Sequence, residues 1–273
     1  MSRGVDGLTI EDLRSSRDLW WDEQFTRTML DAIPGGARTL VEIGCGLARA
    51  ALELLPHRPT MRYVGVDIDA RRLVAAHSEL TASPVGLRAD LLRAAGERLP
   101  LLDGAADVVL TSMTLQHVLD VDVVLREARR VLVAGGTLVA VEPDMLGHRF
   151  YFNGSLDDIT SAFAALYADR RAARLPADMT IGPSLPSLVR EAGFRDVTAR
   201  VECVQGSAYK RTGAVADELL ELVDVVAATS DAPCDDRVAA CKAAVNGWAR
   251  RVGHDAMGHN AWFVPVFVTR GTR

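Results

Sequence analysis

From Thr39 to Val141 short apolar runs alternate with stretches of helical spacing, joined by brief connections. Thr39–Ile43, Tyr63–Val66, Val85–Ala89, Asp107–Thr111 and Thr137–Val141 read as strands. Leu47–Leu55, Ala70–Leu80 and Val121–Leu132 read as helices; Pro56 stops the first and Asp69 caps the second. Strands alternating with helices of these lengths mean a parallel sheet covered on both faces.

The flanks follow other patterns. Thr9 and Asp12 resemble a capping box, and Leu13, Trp20, Phe25, Met29 and Ile33 continue a helical spacing until Pro34-Gly35-Gly36 ends it. Beyond Pro143, helices are expected over Leu156–Ala173, Leu185–Ala192, Ala214–Ala228 and Asp235–Val252. Strands are expected over Val197–Val204 and Trp262–Thr269, and Pro265 favours an edge or bulge position for the last one. The chain thus divides into an N-terminal helical cap (1–38), a ligand-binding core (39–144) and a continuation of the same fold with helical insertions (145–273).

Composition excludes several classes of partner. With 31 Lys and Arg against 36 Asp and Glu, the net charge of −5 argues against a broad nucleic-acid surface. No apolar run reaches membrane-spanning length, and the N-terminus lacks the apolar centre of a secretory signal. Cys45, Cys203, Cys234 and Cys241 form no CxxC pair, and His254 and His259 lack the spacing of a helical metal site. No metal is expected, and the location expected is cytoplasmic.

The most informative stretch is Leu40-Val-Glu-Ile-Gly-Cys-Gly-Leu-Ala-Arg49, a strand entering Gly44 and Gly46 with a helix behind them. Glycines there permit positive φ and close approach of a ligand to the backbone. A dinucleotide fingerprint would put a small residue at position 49, which is Arg; the shorter acid-x-G-x-G-x-G spacing puts it at Ala48. Glu42 would repel a pyrophosphate and attract a cation. About twenty residues on, Asp67 ends the second strand, where an acid can accept both hydroxyls of a ribose. Asp69 reads as a helix cap.

Leu40–Asp144 resembles the class I S-adenosylmethionine (AdoMet)-dependent methyltransferases, in particular those acting on small molecules. VEIGCGLA resembles their first motif with Ala48 in place of a third glycine, and YVGVDID the second. LRADLLRAAGERLPLLDGAADVVLTSMTLQHV resembles the stretch around the adenine, and REARRVLVAGGTLVAVEPD the helix, glycine turn and fifth strand. The resemblance implies a Rossmann-like, seven-stranded, mostly parallel sheet of order 3-2-1-4-5-7-6 with the seventh strand antiparallel. It also implies AdoMet as cofactor, with Asp90 on the adenine amino group and Leu91 beside the ring. Glu42, Gly44, Gly46, Asp67, Ile68 and Thr111 complete the expected cofactor shell.

In-line methyl transfer requires alignment of donor and acceptor and, for an oxygen acceptor, removal of a proton. His117 follows the fourth strand, and a near-neutral imidazole suits a general base. Glu142, at the end of the fifth strand, is the second catalytic candidate. Trp21, His148, Tyr151 and Asn153 are candidate substrate contacts, and the insertions would supply an acceptor pocket, a homodimer contact or both. The function expected is O-methylation of a small metabolic or natural-product intermediate. The competing reading is an AdoMet-binding regulatory module without transfer activity; an NAD-dependent oxidoreductase is disfavoured by Arg49 and Glu42.

Overall fold

In β1 (Thr39–Ile43), Leu40 turns to one face of a sheet and Val41 and Ile43 to the other, and all three are buried. The computed structural model describes residues 9–11, 13, 14, 21–172, 178–228 and 235–273; Asp12, Trp20 and Ala173 lie outside them. Beside β1 run β2 (Arg62–Asp67) and β4 (Ala106–Ser112); β3 (Ala89–Arg93) flanks β2 and β5 (Leu132–Pro143) flanks β4, all parallel. The antiparallel strand β8 (Met257–Thr272) lies against β5, and β7 (Arg195–Arg211) pairs with its other side. The order is therefore β3-β2-β1-β4-β5-β8-β7, with a short extra strand β6 (Arg149–Phe152) pairing with β8 beyond the end of β5. This is the expected mostly parallel Rossmann-like sheet.

Apolar faces place the helices. Phe25, Met29 and Ala32 of α1 (Glu23–Ala32), Ala50, Ala51 and Leu54 of α2 (Arg49–Leu54), and Ala76 and Leu80 of α3 (Ala70–Thr81) cover one face of the sheet. Val124, Leu125, Ala128 and Val131 of α4 (Val121–Val131), with Leu185 and Val189 of α6 (Leu185–Glu191), cover the other. The side chains of Asp22, Asp69 and Asp120 accept backbone N–H groups in the first turns of α1, α3 and α4, satisfying donors the helices leave open.

A third apolar cluster lies in the insertions. It joins Ile159, Phe163 and Leu166 of α5 (Asp157–Ala172), Val215, Leu219 and Val223 of α7 (Thr212–Ala228), Cys241, Val245 and Trp248 of α8 (Asp235–Val252), and Phe150 and Phe152 of β6. Half-buried Trp262 of β8 packs against both this cluster and the α1–α3 cluster. The insertions thus form a cap seated beside the carboxyl ends of the parallel strands.

Two expectations require correction. Pro84–Arg88 is a 3-10 turn, not a strand: Pro84 lacks an N–H, and Gly86 sits where a Cβ would lie 2.3 Å from the Leu80 carbonyl oxygen. The third strand consequently starts at Ala89. The last strand is an interior one, because Pro265 falls where β8 changes partner from β5 (Pro143 opposite Val266) to β6 (Arg149 opposite Phe263). Its carbonyl accepts from Asp144 N–H (2.9 Å), so its missing donor faces that gap and costs no ladder bond.

Candidate active site

The turn after β1 is built around one carboxylate. Gly44 (φ +72°) and Gly46 (φ +54°) take left-handed conformations, as does Ala48 (φ 55°), from which α2 begins at Arg49. Gly44 and Cys45 N–H both donate to the Val66 carbonyl (2.7 and 3.0 Å). Asp67, almost fully buried, accepts from Gly46 N–H at Oδ2 (2.8 Å) and from Asp69 N–H at Oδ1 (2.9 Å). An ionised carboxylate has about four lone-pair sites, which leaves room for the two hydroxyls of a ribose. Arg49 turns along its helix to pair with Glu53 (2.9 Å), away from the role of a phosphate clamp.

Glu42 is also buried, and it accepts a hydrogen bond from the fully buried Tyr63 hydroxyl. Burial and then the Glu42 charge raise the Tyr63 pKa well above the ordinary phenol value, so Tyr63 stays a donor. Cys45 is likewise held as a neutral thiol by burial, with the charges of Glu42 and Asp67 adding to the effect. Two carboxylates beside a glycine turn suit the cations and diol of AdoMet and oppose a pyrophosphate.

The loop after β4 is locked across the sheet. Glu142, fully buried near the end of β5, accepts from Thr114 N–H (2.8 Å) and Leu115 N–H (2.7 Å) at one carboxylate oxygen. The Thr114 hydroxyl donates to the Gly44 carbonyl (3.3 Å) or the Ser112 carbonyl (3.2 Å), and a Cβ on Gly44 would lie 2.3 Å from Thr114 Cγ2. Met113 takes a positive φ of 53° to make this bend. His117 closes the following 3-10 turn, half-buried, its N–H donating to the Thr114 carbonyl (2.9 Å). Glu142 therefore positions the segment carrying His117. Tyr63 and Thr114 were missed by sequence reasoning, although a buried tyrosine ordinarily needs a partner for its hydroxyl.

The structure does not bring every candidate to this place. Asp90 pairs in register with Val64, three pairs before Asp67 and Arg93, or roughly 10 Å along the strand. Its exposed carboxylate pairs with Arg62 (3.3 Å). Leu91 packs on the α1–α3 side, where a Cβ on Gly65 would lie 2.9 Å from its Cδ2. Both assignments shift because β3 starts four residues later than expected; at that end of β2, Ala94 N–H donates to the Asp67 carbonyl (3.1 Å) and Arg93 Nε to the Ile68 carbonyl (3.2 Å). Ile68 is partly exposed beyond Asp67, and Thr111 is fully buried at the end of β4.

Among the substrate candidates, Trp21 packs edge-on against Phe25 (5.1 Å) in the core. Alternation along β6 turns Phe150 and Phe152 inward and Tyr151 outward, with Asn153 exposed just beyond it. Asn153 holds the strand end instead, exchanging hydrogen bonds with the His259 backbone (both 3.2 Å). His148 alone of the four is a buried polar group between the sheet and the cap, its ring 4.0 Å from that of Phe150.

Residues 41–140 match the methyltransferase domain family. The chain is 30% identical over 199 residues to a demethylmenaquinone methyltransferase of Roseiflexus castenholzii, covering 69% of this chain and 80% of that protein. It is 31% identical over 176 residues to a ubiquinone/menaquinone biosynthesis C-methyltransferase of Syntrophotalea carbinolica, covering 60% and 72%. A similarity of 31% over 207 residues to an uncharacterized 37.1 kDa protein in a Streptomyces fradiae transposon spans 52% of that protein. In fold it resembles the YcgJ protein of Bacillus subtilis, with a TM-score of 0.58, 15% identity and coverage of 92% and 99%.

Two consequences are measurable. Gly44→Ala puts a side chain at positive φ and into Thr114, and the conformation alone costs about 1–2 kcal/mol. The variant should melt lower and bind AdoMet more weakly by calorimetry; unchanged values for both would contradict the packing described. His148 offers a pH test, because burial, followed by the charge of Arg149, lowers its pKa from 6.5 to about 3. The unfolded chain binds this proton near pH 6.5 and the folded chain near pH 3, so its contribution is complete above 6.5 and is lost as pH falls toward 3. At pH 5 the loss should be about 2 kcal/mol. Urea unfolding at pH 7 and 5 should show that extra loss in the wild type and not in His148→Phe.

Proposed function

Because the chain belongs to the AdoMet-dependent methyltransferases, we propose that it methylates a small, hydroxyl-bearing organic acceptor held between the sheet and the helical cap, with His117 as base. The observation that carries this reading is the lock made by Glu142 on Thr114 and Leu115, which holds the His117 turn beyond the carboxyl ends of β4 and β5. Ligands of open α/β sheets bind at those ends. AdoMet, when bound, supplies a methyl group already activated on a sulfonium. The residues proposed to hold it are Glu42 and Asp67, with the Gly44–Gly46 turn, Ile68 and Thr111 around them.

His117 takes the acceptor hydroxyl proton, raising the nucleophilicity of the oxygen; Glu142 keeps the imidazole in place without exchanging protons itself. O-methylation is the direct outcome. A second reading, C-methylation, is favoured by the relatives named as quinone methyltransferases. It needs the same base, since an aryloxide is nucleophilic at oxygen and at the neighbouring ring carbon; after transfer to carbon, the proton on that carbon must also leave, to a base or to water, to restore the aromatic ring. The proposed division of labour assigns the cofactor to residues 39–144 and the acceptor pocket to residues 145–273, with Leu13 of the N-terminal segment 3.6 Å from where a Cβ on Gly46 would lie. Incubation with isotopically labelled AdoMet and a panel of phenols and quinols tests the reading, and the carbon shift of the labelled methyl group separates O- from C-methylation. No transfer to any hydroxylated aromatic would count against it.

Asp67→Ala should weaken AdoMet binding by about 1–3 kcal/mol, the usual loss for charge-assisted hydrogen bonds to a ligand. Calorimetry on folded protein would reject the assignment if affinity matched the wild type. The His117 and Glu142 variants separate chemistry from positioning. His117→Ala should lower kcat by about 10²–10⁴-fold with AdoMet affinity retained. Glu142→Gln keeps an acceptor oxygen for both backbone N–H groups and should preserve the wild-type pH profile and most of kcat; Glu142→Ala should lose thermal stability and rate together. A changed pH profile in Glu142→Gln would instead make Glu142 the proton carrier.

A further inference from the structure

His148 has an environment unusual for a polar side chain. It is 5% exposed, and neither ring nitrogen has a hydrogen-bond partner among the described residues. Its ring lies 4.0 Å from that of Phe150, tilted by 41°, and 6.0 Å from that of Trp262, edge-on at 73°. Phe150 in turn contacts Phe163 of α5 (5.1 Å). Buried polar atoms are ordinarily paired, and an unpaired one calls for a specific explanation. An internal water needs two to four polar partners, whereas the rings of Phe150 and Trp262 pack on this imidazole and no described polar group bonds either of its nitrogens.

The position of His148 supplies that explanation. The chain leaves β5 at Glu142 and Pro143, is tied to β8 by Asp144 N–H on the Pro265 carbonyl, and makes a 3-10 turn at Met145–Gly147 before reaching His148. That turn is held close: a Cβ on Gly147 would lie 2.6 Å from Pro265 Cγ. Trp262 belongs to the sheet core and the cap core together, so His148 stands at their seam, six residues beyond the carboxylate that locks the His117 turn.

Resting on the methyltransferase reading above, we infer that His148 selects the acceptor: its imidazole hydrogen-bonds an uncharged hydroxyl or carbonyl oxygen of a planar apolar ring system lodged against Phe150 and Trp262. Burial keeps this imidazole neutral, so it offers one donor and one acceptor nitrogen and no charge with which to compensate an anion. The neighbouring cation, Arg149, turns its guanidinium to the Leu146 and His148 carbonyls (3.1 and 2.9 Å), so a carboxylate or phosphate on the imidazole would be desolvated without a direct ion pair and is selected against. The class selected is therefore a neutral phenol, quinol or ketone. His148 thereby sets specificity, and His117 performs the proton transfer.

The test uses 2-naphthol and naphthalene as paired probes, titrated by calorimetry into protein saturated with S-adenosylhomocysteine. Wild type should bind 2-naphthol about 10–100-fold more tightly than naphthalene, the worth of a hydrogen bond made inside an apolar site. His148→Phe should abolish that margin and leave naphthalene binding unchanged, and His148→Gln, which still offers a donor and an acceptor, should keep most of it. Near-ultraviolet circular dichroism establishes that each variant is folded, and His148→Gln carries the test if His148→Phe is not. The inference is overturned if wild type does not prefer 2-naphthol, if His148→Phe retains the preference, or if both probes weaken equally, which is the signature of packing alone. Binding of S-adenosylhomocysteine and transfer of labelled methyl to other phenols are read separately. Their loss in the wild type would strike the proposed function, whereas their survival in a wild type that shows no preference for 2-naphthol would strike His148 only.

Discussion

Asp67 spends both carboxylate oxygens on backbone N–H groups, Gly46 on one side and Asp69 on the other, at 2.8 and 2.9 Å. The first bond sets the position of the glycine turn relative to β2; the second fixes where α3 begins. With Gly44 and Cys45 N–H both on the Val66 carbonyl, the ends of β1 and β2 form one rigid unit, and the helices on either side take their starting points from it. Burying a carboxylate is costly unless it is well hydrogen-bonded. Here the two backbone donors offset that cost and leave lone pairs for a ligand. A site that must recognise neutral hydroxyls and nearby cations gains from being assembled before the ligand arrives.

Glu142 repeats the device one strand pair away. A single oxygen accepts two consecutive N–H groups, which bends the chain after β4 through the positive φ of Met113 and presses Thr114 onto Gly44. The two loops are therefore not independent: the glycine that opens the turn after β1 is also the surface on which the loop after β4 rests. This coupling explains why position 44 admits no Cβ, a stricter demand than positive φ alone imposes.

How far the sequence was legible follows from the range of the forces involved. β1 and α8 were read to the residue, and Asp69 as a cap, because apolar periodicity and capping are local. The third strand was displaced by four residues. Val85 and Leu87 look like strand residues, yet Pro84 and the close approach of Gly86 to Leu80 are tertiary facts that turn the segment into a 3-10 helix. The displacement carried Asp90 and Leu91 away from the site. Pro265 misled for a related reason: proline is excluded from a central strand only where its N–H would be needed, and the change of partner from β5 to β6 removes that need. Glu42, Gly44 and Gly46 stood out because they are contiguous at the end of β1, and Asp67 because it ends the adjacent strand β2. Glu142 was found, but as a catalytic group; its bond to a loop 28 residues earlier has no signature in the sequence.

The seam between sheet and cap is where the two halves of the chain acquire a shared task. β7 and β8 extend well past the end of β5, and the added length pairs with β6 and carries α7 and α8. One continuous strand thus belongs to the sheet at Val266 and Val268 and to the cap at Val264, with Trp262 touching both clusters. A cap mounted on such a strand cannot shift as a free lid without bending the ladder that also supports β5. On the proposed reading, acceptor geometry is then tied mechanically to the strand that bears Glu142, which locks the His117 turn. An in-line displacement demands that linkage, since a misplacement of about 1 Å between donor and acceptor can cost a hundredfold in rate.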